Sequence, residues 1–185
     1  MSLGVDGADG AHTKAHLRAL AHPIRLRILS LLTGASLTAA EVARELELTH
    51  ANASYHLRQL HSSGIIEVAG QERIHGGVAK RYRYDVEGEL KKPAVPPKDN
   101  DTRAHRLIYA AMATELNRRS ALMRRSTRNH LTDAELWIDP EVWKGIRDRI
   151  SEASHDLHRA AKPPRTPKAI RVNATIALFE METAR

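Results

Sequence analysis

Cysteine is absent from all 185 residues, which excludes disulfides, thiolate metal sites and thiol redox sensing. No apolar run approaches the roughly 18 residues needed to cross a bilayer. The opening stretch MSLGVDGADG also lacks the basic-then-apolar pattern of a secretion signal. Cytoplasmic residence with no membrane partner is the expectation. Enzyme signatures are missing as well: there is no glycine-rich phosphate loop, no His-Glu-x-x-His and no Gly-x-Ser-x-Gly elbow. A protein that is not an enzyme is expected. The eleven histidines include two pairs at spacings that share a helix face, His12 with His16 and His155 with His158. Neither pair has an identifiable third ligand, and Asp6 with Asp9 lacks the other ligands of a calcium loop. No metal or cofactor is expected.

What the chain does carry is positive charge, +7 in all with a pI near 10, which favours a polyanionic partner. The charge is uneven. Residues 1–90 hold ten Lys/Arg against ten Asp/Glu, and residues 91–185 hold nineteen against twelve. Within the neutral half, however, residues 50–84 carry Arg58, Arg73, Lys80, Arg81 and Arg83 against only Glu67 and Glu72. A phosphate responds to the local field within a Debye length of roughly 8–10 Å, so this segment is attractive to one. Hydrophobic residues make up 42% of the chain, enough for a core.

The pattern divides the chain into four parts: a small, polar tail over 1–13, a compact unit over 14–88, a Pro/Lys-rich linker over 89–101 and a C-terminal region over 102–185. In the compact unit, helix starts near Thr13 and breaks at His22-Pro23, where proline suits the first turn of a new helix. Ile24, Ile28, Leu29, Leu31 and Leu32 give that helix its core face, with Gly34 placed to end it. Thr38 with Glu41 is a capping box, Val42 and Leu46 face inward, and Glu47-Leu48 make a turn. Thr49 caps a third helix over 49–63 that buries Ala53, Leu57 and Leu60, and Gly64 ends it. Strands are expected at Ile65–Ala69 and Lys80–Val86, joined by a mobile loop bearing Gly70, Gly76 and Gly77.

In the C-terminal region a long helix is expected from Thr102 to Asn129. Its stripe comprises Leu107, Ile108, Ala111, Met112, Leu116, Leu122 and Met123. Asp139-Pro140-Glu141 starts another helix, with Val142, Ile146, Ile150, Ala153 and Leu157 at helical spacing, ended by Pro163, Pro164 and Pro167. Strands are expected at Glu135–Ile138 and at Ile170–Met181, where Ile170, Val172, Ala174, Ile176 and Leu178 alternate strictly. The fold class is therefore mainly α with a small β component (α+β): an N-terminal winged helix-turn-helix followed by a helix-strand-helix-strand region serving dimerisation or effector binding.

Two stretches also carry a family resemblance. Leu20 to Leu32, LAHPIRLRILSLL, and Leu48 to Leu60, LTHANASYHLRQL, followed by Gly64-Ile65-Ile66, resemble the ArsR family of bacterial winged-helix regulators. The resemblance covers about residues 14–88. It implies a homodimer that binds a near-palindromic operator, usually as a repressor, with an inducer releasing the DNA in many members. The C-terminal half is much longer than in the compact metal-sensing members, which separates this chain from their metal-sensing role.

On this reading, the exposed N-terminal turns of helix 49–63 reach base edges through His50, Ala51, Asn52, Ser54 and Tyr55. Asn52 suits bidentate contact with adenine, and Arg58 suits a phosphate. His56 sits beside Ala53 and Leu60, and half-burial and DNA contact are equally open to it. In the wing, Arg73, His75, Lys80 and Arg81 are placed to grip the backbone or enter the minor groove. Trp137, Trp143, Tyr109, Phe179 and Met112 are open to two readings, an effector pocket or plain core packing. The arginine run Arg118, Arg119, Arg124, Arg125 and Arg128 is open to phosphate contact, dimer pairing or plain solvation. The expected partners are double-stranded DNA, a second copy of the chain and a small-molecule effector. The alternative is a winged-helix protein-interaction module docking an acidic partner.

Overall fold

The computed structural model describes residues 16–74, 77–85, 102–125 and 128–182. The element order is α1 (Pro23–Leu32), β1 (Leu37–Thr38), α2 (Ala39–Leu46), α3 (His50–Ser62), β2 (Ile66–Ile74), β3 (Gly77–Tyr84), α4 (Thr102–Ser120) and α5 (Pro140–Arg159). Helical residues 16–20 precede α1. The architecture is helical with one three-stranded antiparallel sheet, in the order β1-β3-β2.

Local chemistry accounts for the starts and stops. Pro23 occupies the first turn of α1, and the His22 Nδ1 accepts the Ile24 amide at 3.2 Å, so a histidine caps this helix. The α2 capping box is complete. Thr38 donates its amide to Glu41 Oε2 at 2.7 Å, and the Glu41 amide donates back to Thr38 Oγ1 at 3.3 Å. Glu47 closes α2 in the left-handed region at φ 57°, which makes the tight turn into α3. Thr49 accepts the Asn52 amide at 3.2 Å, and Gly64 at φ 71° follows the end of α3.

The core is assembled from all three helices and the sheet. Ile28 and Leu32 of α1, Val42 of α2, and Ala53, Leu57 and Leu60 of α3 are fully buried. Ile65 and Ile66 close the core from below, with Tyr82 and Tyr84 packed against it. Gly34 lies so close to the backbone of Lys162 that a Cβ there would fall 2.5 Å from its carbonyl oxygen. A glycine is thus required where the chain after α5 crosses the end of α1.

The sheet differs from expectation in extent. β2 and β3 continue outward almost to the tip, so Gly70 and Gly77 lie in strands, while Gly76 and Val86 fall outside the described residues. β1 is only two residues long and exists through pairing: Leu37 faces Tyr82 and Thr38 faces Arg81. One bulge interrupts β2. Val68 pairs with Tyr82 and Gly70 with Arg81, which leaves Ala69 without a partner in the register. Past the bulge, Gln71 pairs with Lys80 and Arg73 with Val78, on the face that carries Tyr82.

The C-terminal half departs further. Helix α4 ends at Ser120 rather than Asn129, through i→i+3 bonds from the Leu122 amide to Arg119 and from the Met123 amide to Ser120. It packs against α1, and among its described side chains only Ala111 and Glu115 are buried. Leu122 and Met123 meet no packing surface that would extend the helix. Asp139 caps α5 as expected, accepting the Glu141 amide at 2.9 Å. Yet none of the residues of α5 is buried. Residues 135–138 and 170–181 are not strands, because no ladder partner lies beside either segment among the described residues. The linker and the N-terminal tail lie outside the described residues.

Candidate nucleic-acid interface

Helix α3 sorts its side chains sharply. Ala53, His56, Leu57 and Leu60 point into the core, which turns the opposite face outward. At the centre of that outward face are Ala51, Tyr55 and Arg58, all exposed. His50 is also exposed, while Asn52 and Ser54 are half-buried at the two edges of the face. Among the described residues the side chains of His50, Asn52 and Arg58 have no hydrogen-bond or ion-pair partner, so their donors and acceptors point to solvent.

The wing sorts its charges too. Arg81, at the sheet centre, is engaged inside the protein. Its Nη1 donates to Glu72 Oε2 at 2.6 Å, and its Nη2 donates to the Ser36 carbonyl at 2.5 Å and lies 3.3 Å from Glu41 Oε2. Burial alone would raise the Glu41 carboxyl. Its bonds from the Thr38 amide and hydroxyl, together with Arg81, outweigh burial and hold it below the ordinary value. Arg81 thereby ties the wing to the start of α2. Arg83 likewise binds Glu67 through Nε and Nη2, at 3.1 and 2.6 Å. Arg73 and Lys80 are exposed, and neither forms an ion pair among the described residues. Both lie on the sheet face of Tyr82, whose ring meets that of His61 on α3 at 6.0 Å between centroids. His75 lies outside the described residues.

Beneath the outward face of α3 is a feature that sequence patterning missed. His56 is 5% exposed, its ring 4.8 Å from that of His22 and 5.3 Å from that of Tyr55. The His56 Nδ1 and the Arg25 Nε are buried without partners among the described residues. Burial, then the neighbouring His22 and Arg25, lower the His56 pKa; burial and Arg25 lower that of His22. His22 must also stay unprotonated at Nδ1 to cap α1. A histidine whose folded pKa lies below its unfolded value near 6.5 stabilises fully above that value. The contribution is lost as pH falls through the folded pKa. The melting temperature is therefore expected to drop between pH 7.5 and pH 5.5. In His22→Asn/His56→Leu, which keeps a cap and removes both titrations, the drop should shrink. Equal drops in parent and variant would reject this pair as the cause.

Elsewhere the chemistry is quieter. Among the described residues no three His, Asp or Glu side chains are placed to hold a metal ion. His155 and His158 turn back onto Ser151 and the Ser154 carbonyl of their own helix. Arg118 and Arg119 share the one carboxylate of the buried Glu115, which offsets one of their two charges within α4. Of the C-terminal aromatics, Tyr109 meets Phe179 at 5.3 Å, Trp143 donates to Glu180, and Trp137 is 90% exposed. They form neither a closed core nor an enclosed pocket. No helix among the described residues is long and apolar enough to cross a membrane.

No curated protein matches this chain. Residues 20–69, which run from before α1 to the bulge of β2, match the family model of a helix-turn-helix domain, and this supports a DNA-binding regulator.

Proposed function

We propose that this protein is a sequence-specific, ArsR-type transcriptional repressor, a homodimer that reads a near-palindromic operator. Residues 14–88 are assigned to the duplex and residues 102–185 to dimer contacts and an effector site. The observation that carries this reading is the outward face of α3. Its polar and basic side chains have no partner among the described residues, and beside it the wing cations Arg73 and Lys80, which likewise form no ion pair among them, share the sheet face nearest α3. In a two-fold dimer the two α3 helices would enter successive major grooves about 34 Å apart. Arg58 would hold phosphate, which positions the helix, while Asn52 and its neighbours would read base edges.

A fluorescence-anisotropy titration against the gene's own upstream duplex tests this, run at two salt concentrations with scrambled duplex as competitor. Tight binding that survives the competitor is the expected result. Asn52→Ala/Arg58→Ala should weaken it at least tenfold, given about 1–3 kcal/mol for one bidentate base contact. An unchanged affinity in the double variant rejects the site. Binding that vanishes equally for both duplexes as salt rises would reduce the interaction to counterion release. It would then favour the protein-interaction module docking an acidic partner.

A further inference from the structure

The distribution of exposed apolar residues is lopsided. Among the described residues, only Tyr55, Ile74 and Val78 are large, apolar and exposed between 20 and 84, whereas seventeen such side chains are exposed between 102 and 182. At roughly 150–250 Å² for a large side chain, the exposed fractions amount to about 1,500–2,500 Å² per chain. Doubled, that area falls in the range of about 2,000–5,000 Å² that obligate homodimers bury.

The backbone has the same deficit. Residues 170–182 have no regular secondary structure and make no backbone–backbone hydrogen bond to any described residue. Side chains alone hold this segment beside α4 and α5: Arg119 donates to Asn173 at 3.2 Å, and Trp143 donates to Glu180 at 3.1 Å. Ile170, Val172, Ile176 and Leu178 alternate along one face, all exposed. Alternation of that kind is the signature of a strand with a covered face. The segment thus has the side chains of a strand and lacks its ladder.

We infer that the second copy of this chain supplies the missing ladder. Residues 170–181 of each protomer pair as a β-strand with the other protomer, and the apolar stripes of the two α5 helices close over the sheet they form. Charge favours this occupant. The chain carries +7, yet α5 balances Lys144, Arg147, Arg149 and Arg159 against Glu141, Asp148, Glu152 and Asp156, so two copies of this helix approach without net repulsion. Each copy presents the same unpaired segment and the same partly exposed helix stripe, so the surface can meet itself across a two-fold axis. The inference deepens the homodimer reading above and rests on it.

The test uses the full chain without DNA. Sedimentation equilibrium should return twice the 20.6 kDa chain mass, and hydrogen exchange should find the amides of 170–181 protected. Val172→Pro/Ile176→Pro removes two ladder donors and should weaken dimerisation at least 100-fold, while Val172→Ile/Ile176→Val stays dimeric. Exchange protection of α3 in the proline variant verifies that the N-terminal unit is folded. A monomeric parent, unprotected amides over 170–181 in a dimer, or a proline variant that still dimerises would overturn the inference. A monomer that still binds its operator would reject this assembly and spare the regulator. A protected dimer that binds no duplex specifically would do the reverse.

Discussion

Leu57→Ala is expected to lower the unfolding free energy of the helix-turn-helix unit by about 2–5 kcal/mol. Leu57 is fully buried, along with Ile28, Leu32, Leu60 and Val42. Truncation takes away its packing against neighbours on more than one helix and leaves a cavity that caps and turns on both sides prevent from collapsing. Small units have only about 5–15 kcal/mol in total, so the loss is a large share. The consequence for the proposed function follows from position: Leu57 lies on the inward side of the helix that bears Tyr55 and Arg58 outward, so loosening the core misaligns the face proposed to meet the duplex. Both tryptophans, Trp137 and Trp143, lie in the C-terminal half, so their fluorescence does not report on this event. Hydrogen exchange over residues 50–62 does. A loss smaller than about 1 kcal/mol would mean that Leu57 is not part of a tightly packed core.

The second large effect separates two kinds of wing arginine. Arg81→Ala should destabilise the fold by about 1–3 kcal/mol, because it removes charge-assisted bonds to Glu72 and Glu41 and leaves the Ser36 carbonyl without its donor. Its side chain is 30% exposed, so solvent screening places the effect toward the lower end of that range. The slope of DNA affinity against salt should stay the same, since Arg81 offers no free charge to a phosphate. Arg73→Ala/Lys80→Ala should show the opposite pattern. The melting temperature should hold, and the salt slope should fall by about one for each phosphate that is no longer neutralised. Thermal melts and anisotropy titrations on both variants decide the matter. A reduced salt slope in Arg81→Ala with unchanged stability would assign that arginine to the duplex after all.

The features readable in the sequence were those that local chemistry determines. Thr38 with Glu41, Thr49 before α3, and Asp139-Pro140 before α5 all cap within a few residues, and the structure forms each cap. Apolar spacing likewise identified Leu57, Leu60, Val42 and Ile28 as inward. What was missed depends on distant parts of the chain. Leu37–Thr38 becomes a strand only because Tyr82 and Arg81 lie alongside, and Arg81 loses its free charge only because the fold delivers Glu41 to it. His22 looks like a linker residue until its ring is found capping α1 and touching His56. The alternation over 170–181 is a true property of the sequence, but a strand needs a neighbour, and no described part of the chain provides one.

The unpaired Ala69 has a consequence beyond bending β2. Strict alternation from Ile66 onward would set Glu72 on the Tyr82 face and send Arg73 to the other side. The extra residue exchanges them. Glu72 passes to the far face, where Arg81 neutralises it, and Arg73 joins Lys80 on the side toward α3. The sign of the field that this hairpin would show a polyanion is thus set by one extra backbone residue that carries no charge of its own.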